Sequence, residues 1–283
     1  MFYKSKLLIL SLLLFSVGLV GCSSSQETSG INKNFTVGVV TGTTFEEAAR
    51  KLTKVTDVKL YKDDNQTLLE LANGRLDGVI TDRMVGLLAI KEKNLSNLKL
   101  AGDLIYKETI AVAFRQDDDS LRQHVNKALA DIISDGTYDQ ISNKWFDTNL
   151  LNGVEYEKTS KNDQQSADKS LKKIQDAGKI RFAMSGGYPP FNYYNDKNEL
   201  VGFDVDIARA IAKKLGVEFE PVTTDWNGII EGLRAGRYDG ILGSMAVTEE
   251  RLKVVDFSDP YYYSGAQLMV SKDSGINGPE DLK

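Results

Sequence analysis

The heptapeptide GRLDGVI occupies residues 74–80, and the closely similar GRYDGIL occupies residues 236–242. Each follows a segment whose apolar residues recur with a helical period. The glycine suits the left-handed cap at the end of a helix, and the apolar run after Asp-Gly is typical of a buried strand. Each half of the chain is therefore predicted to contain the same helix, turn and strand. Two such units also arise by chance in an α/β chain, so seven residues do not establish a duplication.

Short apolar runs alternate with segments of helical period on both sides of these heptapeptides. This alternation is expected when strands are joined by crossover helices, so the fold class is predicted to be α/β. The predicted strands cover residues 36–40, 58–61, 78–81, 109–114, 180–184, 218–222 and 240–242, and a long extended segment covers residues 261–271.

The N-terminus has the pattern of an export signal. Lys4 and Lys6 precede an apolar run over residues 7–20 that is too short to span a bilayer comfortably. We predict a signal peptide over residues 1–21. Residues 19–22, LVGC, resemble the lipobox of bacterial lipoproteins, which implies a lipid on Cys22, a lipidated tether over residues 22–31 and a membrane link through that lipid. A plain signal peptide with an incidental cysteine is the alternative.

Composition excludes several classes of protein. Cys22 is the only cysteine, so the chain can form no internal disulfide and no thiolate metal site. The net charge is −5 without a basic stripe, so no nucleic acid is expected as a partner. The sequence has no nucleophile elbow, no second histidine, no metal-ligand cluster and no phosphate-binding loop. We therefore predict a non-enzymatic protein without cofactor or metal.

Candidate site residues follow two of the predicted strands. In open α/β sheets, ligands bind beyond the carboxyl ends of the strands. Thr81 and Asp82 end one strand, and the other leads through residues 243–248 to a short helix with Arg251. An acid and an arginine from opposite halves would hold a zwitterion, because guanidinium binds carboxylate and carboxylate accepts from ammonium. Alternatively, Asp82 caps a helix over residues 83–93, and Thr248 with Arg251 is ordinary helix-start chemistry.

A glycine turn at residues 40–44 leads into a helix, whose first amides would receive an anion. The alternative is a capping box of Thr44 and Glu47 without a ligand. Tyr188 and Trp226 also follow predicted strands, where their rings would pack on a ligand side chain or belong to the core. Phe191 is expected in the core.

Three motifs closely resemble family 3 solute-binding proteins, which serve amino-acid ABC importers: GFDVD at 202–206, TEER at 248–251 and VDFSDPYY at 255–262. Residues 126–146 resemble the C-terminal helices of that family. The resemblance implies a two-lobed, type II periplasmic-binding-protein-like fold with a hinge of two crossing strands. It further implies a monomer at the extracytoplasmic face of the membrane, with a free amino acid as ligand and an ABC permease as partner.

The order of the segments differs from the family's, because the part that usually ends such a protein precedes the part that usually begins it. Joining residues 278–283 to residues 32–38 would restore the familiar passage, so we expect a circular permutant. The resulting boundaries are a smaller lobe at 32–107 completed by 265–283, C-terminal-type helices of the larger lobe at 108–147, a polar linker joining the original termini at 148–169, and the main part of the larger lobe at 170–264. The expected hinges are residues 105–109 and 261–265.

Matched position by position, the resemblance implies roles for individual residues. Arg251 would bind the ligand carboxylate and Asp82 the ammonium group. Backbone and hydroxyl contacts would come from Ser244, Ala246 and Thr44, and an aromatic sandwich from Tyr188 and Trp226. Ala246 departs from the serine or threonine frequent at its position. Ser185 stands where receptors for cationic amino acids often have aspartate, which argues against a lysine or arginine ligand without excluding one.

Three other functions fit the same sequence. An enzyme on this fold, such as a dehydratase, would turn over prephenate-like acids. The sensing portion of a lytic transglycosylase would need a further catalytic domain. A piece of a tandem receptor would bind nothing alone and would self-associate.

Overall fold

The computed structural model describes residues 34–91, 95–153 and 166–283. The predicted signal peptide, Cys22, the tether and residues 154–165 of the predicted linker lie outside the described residues, so these remain predictions.

The described chain alternates strands and helices. The strands are β1 Phe35–Val40, β2 Val55–Tyr61, β3 Gly78–Asp82, β4 Leu98–Phe114, β5 Lys179–Met184, β6 Gly187–Tyr188, β7 Asn192–Tyr194, β8 Leu200–Val201, β9 Glu218–Thr223, β10 Gly240–Ile241 and β11 Asp256–Ser271. The helices are α1 Thr44–Arg50, α2 Asp64–Ala72, α3 Arg83–Lys91, α4 Asp119–Ser134, α5 Thr137–Phe146, α6 Ser170–Ala177, α7 Phe203–Leu215, α8 Ile229–Arg234 and α9 Glu249–Leu252, with a 3-10 helix at Pro279–Leu282. Among these helices, none is both long and apolar enough to cross a membrane.

Eight strands form one sheet in the order β2-β1-β3-β11-β4-β10-β5-β9. The strands toward either end of this order pair in parallel: β1 pairs with β2 and β3 at one end, and β5 pairs with β9 and β10 at the other. The long strands β4 and β11 are antiparallel to each other and run through both groups. We call the group of β1, β2 and β3 with helices α1 to α3 the small lobe, and the group of β5, β9 and β10 with helices α4 to α9 the large lobe. The predicted two-lobed α/β fold with two crossing strands is confirmed.

The strand β3 shows why the apolar runs were informative, because all five of its residues are buried. Parallel strands covered by helices on both faces need apolar residues without alternation. Helix α4 instead buries one stripe, with Leu121, Val125, Leu129 and Ile132 at 0% exposure. This stripe packs in the same core cluster as Ile207 and Ile211 of helix α7.

The two heptapeptides form equivalent units in opposite lobes. Gly74 and Gly236 adopt the left-handed conformation, with φ of 72° and 73°, as predicted for helix caps. Each aspartate then binds the backbone of a neighbouring strand: Asp77 Oδ2 accepts from Thr36 N at 2.9 Å, and Asp239 Oδ2 accepts from Arg181 N at 2.9 Å. In each lobe, the aspartate of the heptapeptide thus forms a hydrogen bond with the first strand of that lobe, β1 or β5.

Two features were not predicted. The three-stranded sheet of β6, β7 and β8 has strands of two or three residues, too short for a pattern. Strand β4 begins at Leu98, far before the predicted start at residue 109, because its middle crosses between the lobes and carries polar residues such as Glu108.

Candidate functional site

A cavity lies between the lobes, beside the carboxyl ends of β1, β2, β5 and β10. The space that a water-sized sphere can enter is about 40 Å³, room for a few water molecules. Its wall consists of Val40, Thr43, Lys62, Asp63 and Asp64 of the small lobe and of Ser185, Gly187, Tyr188, Trp226, Gly243 and Ser244 of the large lobe. The position matches the general rule for ligand sites in open α/β sheets.

Two polar contacts cross the cleft at its mouth. Trp226 Nε1 donates to the carbonyl oxygen of Gly42 at 3.2 Å. Lys62 Nζ lies 2.9 Å from Asp225 Oδ1, and both side chains are about two-thirds exposed. An exposed ion pair contributes only about 0.2–1 kcal/mol, so the Lys62–Asp225 pair adds little to the contact between the lobes.

Arg251 lies on helix α9 of the large lobe, which begins after the N-cap Thr248. One guanidinium nitrogen, Nη1, donates to the carbonyl oxygen of Ala246 at 2.8 Å. The guanidinium carbon is 5.8 Å from the centre of the Trp226 ring. Burial lowers the pKa of Arg251, although the carboxylates of Glu108 and Glu47 oppose the shift. An arginine side chain nonetheless stays charged near neutral pH, so Arg251 is a fixed cation beside the cleft.

A buried network holds the large-lobe wall in place around Asp204, the central acid of the GFDVD motif. Asp204 accepts hydrogen bonds from Tyr261 Oη at 2.8 Å, Ser244 Oγ at 2.9 Å and Asn192 Nδ2 at 2.7 Å. Asn192 Oδ1 in turn accepts from Ser185 Oγ at 3.0 Å. Burial raises the pKa of Asp204 to about 6, while these hydrogen bonds favour its ionised form. The network fixes Ser185 and Ser244 at the cavity wall.

The aromatic wall rests on the core. Tyr188 stacks on Phe191, with ring centres 5.1 Å apart, and Phe191 stacks on Tyr262 at the same distance. Phe191 is fully buried, as expected for a core residue. Tyr188 therefore presents a rigid ring to the cavity.

Asp82 is the last residue of β3 and is 1% exposed. Its Oδ1 accepts from Met84 N at 2.7 Å, so it does cap helix α3 as the alternative proposed. Burial raises the pKa of Asp82 to about 7, and the nearby carboxylates of Glu108 and Asp64 act in the same direction. The capping role and the raised pKa are compatible, because the cap uses one of two carboxylate oxygens.

Asp64 is a second buried carboxylate, on the first turn of helix α2. Its Oδ1 accepts from the hydroxyl of Thr81 at 2.5 Å. Burial raises the pKa of Asp64 to about 7, and repulsion from Asp63 adds to the shift. Thr81 is thus placed behind the cavity wall, where it orients Asp64.

The cap of helix α1 corrects one expectation. The N-cap is Thr43, whose hydroxyl accepts from Glu46 N at 3.3 Å, so the predicted capping box of Thr44 and Glu47 is wrong by one residue. Because Thr44 is the first helical residue and not the N-cap, its hydroxyl does not cap the helix. It donates instead to Glu108 Oε1 at 2.5 Å. Glu108 comes from the crossing strand β4 and is 7% exposed. Burial raises its pKa, while Thr44 and the positive charge of Arg251 lower it.

The predicted site residues fall into two groups. Ser185, Tyr188, Trp226 and Ser244 form part of the cavity wall. A second group interacts with wall residues or with the charged side chains next to them but does not line the cavity: Thr44, Thr81, Asp82, Ala246 and Arg251. Glu108 connects this second group, because it interacts with Thr44, Arg251 and Asp82.

Asp64 and Glu108 were not among the site residues predicted from the sequence. A signal existed for both: Asp64 lies just beyond the carboxyl end of β2, and Glu108 lies within the expected hinge at residues 105–109. Within the described ranges, no group of three or more His, Cys, Asp or Glu side chains could hold a metal ion.

Two α/β lobes that share crossing strands and enclose a cleft define a bilobed binding protein. Its sequence matches the family described as "Bacterial extracellular solute-binding proteins, family 3" over residues 26–148 and 180–279. The chain belongs to this family.

Several characterised relatives share part of the sequence. The L-cystine-binding protein TcyJ of Escherichia coli is 37% identical over 115 residues, 40% of this chain and 43% of the relative. The arginine-binding extracellular protein ArtP of Bacillus subtilis is 44% identical over 110 residues, 38% of this chain and 43% of the relative. The glutamine-binding protein of Geobacillus stearothermophilus is 37% identical over 142 residues, 48% of this chain and 52% of the relative. The chain thus spans about half the length of these relatives.

Proposed function

We propose that this chain captures a free amino acid in the interlobe cavity and delivers it to the permease of an ABC importer. The observation that carries the proposal is that the two lobes bring opposite charges to the region between them. The large lobe supplies Arg251, whose guanidinium carbon lies 5.8 Å from the ring centre of the wall residue Trp226. The small lobe supplies the wall residue Asp64 and, in electrostatic interaction with it, Asp82. The amino-acid-binding relatives agree with this ligand class.

In the proposed complex, the amino acid enters while the lobes are apart. Its carboxylate binds Arg251, for which a guanidinium offers a bidentate geometry, and the backbone of residues 244–246. Closure then brings the ammonium group to Asp82 and places the side chain against Tyr188 and Trp226. The closed form would be recognised by the permease, since it is the form that ligand stabilises.

A thermal-shift panel tests this function. Protein that has been unfolded, dialysed and refolded to remove bound ligand is heated with each common amino acid. At a hundred times its dissociation constant, a ligand adds about 2.7 kcal/mol to the free energy of unfolding, a clear rise in melting temperature. Matched controls are the N-acetyl derivative and the methyl ester of each active amino acid, which lack the ammonium or the carboxylate charge and should give no rise. A folded protein that responds to no amino acid would contradict the proposal.

We also propose that the chain is a circular permutant of the family's usual order. The family match in two separate segments supports this, as does the backbone of Lys54, whose N donates to Leu282 O and whose O accepts from Phe35 N, both at 3.0 Å. Residues 35 and 282 therefore lie within about 10 Å of each other, by standard backbone dimensions. A direct junction there is sterically feasible.

Reordering the gene tests the permutation. A chain that begins at residue 170, continues from residue 283 into residue 34 and ends at residue 153 should fold and show the same ligand profile. Two versions, with no added residue and with two glycines at the junction, separate a strained junction from a wrong topology. If both fail to fold while the original order folds, the proposal is refuted.

A further inference from the structure

One wall residue stands out in its chemistry. Asp64 is 5% exposed and belongs to the cavity wall. The N-cap of helix α2 is the preceding residue, Asp63. The Asp64 side chain therefore has no capping role. Its Oδ1 accepts from Thr81, and Oδ2 accepts no hydrogen bond from the residues that the structure describes.

The other two charged wall residues, Lys62 and Asp63, have partners within the protein. Lys62 pairs with Asp225 at the exposed mouth of the cleft, and Asp63 Oδ1 accepts from Gln66 N at 3.0 Å. The large-lobe wall contributes neutral side chains, including Ser185 and Tyr188. Asp64 is thus the wall's one charged group, among the described residues, without a charged or capping partner.

A buried carboxylate in this position is unfavourable unless a cation approaches it. Burial and the neighbouring Asp63 raise the pKa of Asp64 to about 7. The same environment that disfavours the lone carboxylate strengthens its attraction to a cation. In the complex proposed above, Arg251 and Asp82 hold the ligand's carboxylate and ammonium groups. Asp64 is then available to bind the end of the ligand's side chain.

We propose that Asp64 determines specificity by selecting amino acids whose side chain ends in a guanidinium or ammonium group. The inference rests on the proposed amino-acid-binding function and adds its ligand class. Thr81 positions Asp64, and the Tyr188 ring packs on the aliphatic part of the ligand side chain. A neutral amide side chain can donate a hydrogen bond to Asp64 but leaves its charge unbalanced, so such ligands bind more weakly.

Two pairs of nearly isosteric ligands test this selection: arginine against citrulline, and lysine against norleucine. Affinities are measured by isothermal titration calorimetry on refolded protein. In at least one pair, wild type should prefer the cationic member by about tenfold or more, equivalent to about 1.4 kcal/mol. In Asp64→Asn, which keeps the size and an acceptor for Thr81, the preference should fall below about threefold, with the affinity for the neutral member little changed. Asp57→Asn, at an exposed small-lobe aspartate that pairs with Lys59 outside the cavity, is the matched control and should keep the preference.

The outcomes separate this inference from the function it rests on. If wild type binds amino acids but neither pair shows a preference above about threefold, the selection by Asp64 is refuted and the amino-acid receptor stands. If Asp64→Asn keeps the wild-type preference, the residue assignment is refuted. If folded wild type binds no amino acid, the proposed function itself fails. Asp64→Ser, which also retains a partner for Thr81, replaces Asp64→Asn should the latter not fold, and the same loss of preference is expected.

Discussion

Replacing Arg251 with alanine is expected to weaken amino-acid binding at least about a hundredfold. The guanidinium is the cation at the large-lobe side of the cleft, and without it the ligand carboxylate would be buried unpaired. Removing one partner of a buried ion pair costs about 3–5 kcal/mol, which is more than two orders of magnitude in affinity. Titration calorimetry with the most stabilising amino acid of the thermal-shift panel measures the loss.

Arg251→Lys should recover only part of the affinity, because an ammonium group binds a carboxylate as a point charge and not bidentately. The matched control is Arg75→Ala, since Arg75 is a largely exposed arginine of the small lobe that pairs with Glu70. This control should bind as wild type does. Unchanged affinity in a folded Arg251→Ala protein would show that Arg251 does not hold the ligand.

Replacing Asp82 with asparagine is expected to produce the second large loss, again of about a hundredfold or more. The amide retains an acceptor for Met84 N and so preserves the cap of helix α3, but it provides no charge for the ligand's ammonium group. The affinity of Asp82→Asn measured by calorimetry tests this. Asp57→Asn, at an exposed small-lobe aspartate that pairs with Lys59, serves as the control and should leave binding unchanged.

The pKa of Asp82 adds a pH dependence to this prediction. Because burial raises that pKa to about 7, the carboxyl must lose a proton before it can accept from ammonium. Wild-type affinity should therefore fall as the pH is lowered from 8 to 6, by up to about tenfold per unit below the pKa of one group. The carboxyls of Asp64 and Glu108 face Asp82 and share in the titration. Proton release on binding is measured by calorimetry in two buffers of different ionisation enthalpy, and a wild-type affinity independent of pH would contradict the assignment.

The stability of the protein without ligand should change in the opposite direction. A carboxyl whose pKa is higher in the folded than in the unfolded protein stabilises the fold below the unfolded pKa and loses that contribution as the pH rises through the folded pKa. An unfolded aspartate titrates near about 3.9, so the contribution of Asp82 is lost between about pH 4 and about pH 7. Asp82→Asn should consequently melt no lower than wild type at pH 8 in the absence of ligand, although it binds poorly. A charge kept for binding at the expense of stability is typical of a functional site.

The site residues of the two lobes are held by different contacts. The buried network of Asp204 fixes the serines of the large-lobe wall, and the stacked rings behind Tyr188 fix the aromatic wall. The small-lobe acids instead lie at the start of helix α2 (Asp64) and at the end of strand β3 (Asp82). Ligand recognition by the closed form is therefore expected to depend on both the charges and the cost of closure.

The predictions from sequence were correct for features that depend on a few neighbouring residues, such as buried strands, apolar helix stripes and helix caps. The apolar run of strand β3 and the apolar stripe of helix α4 are visible in the sequence as local patterns. The helix caps at Gly74 and Gly236 could be predicted because glycine readily adopts the left-handed conformation that they require. The cap of helix α1 was misplaced by one residue because Thr43 and Thr44 offer the same hydroxyl, and only the backbone of Thr43 is extended.

What the sequence determined by itself was the α/β alternation, the buried strands and the presence of an acid and an arginine after strands of opposite halves. Only the tertiary structure decided which charges share one site. The hydroxyl of Thr44 donates a hydrogen bond to Glu108, 64 residues away in the sequence, and the hydroxyl of Thr81 donates to Asp64, 17 residues away. Periodicity and capping act over a few neighbouring residues, whereas desolvation and Coulomb interactions depend on distances through space. Those distances are set by the way the strands and helices pack in the folded chain.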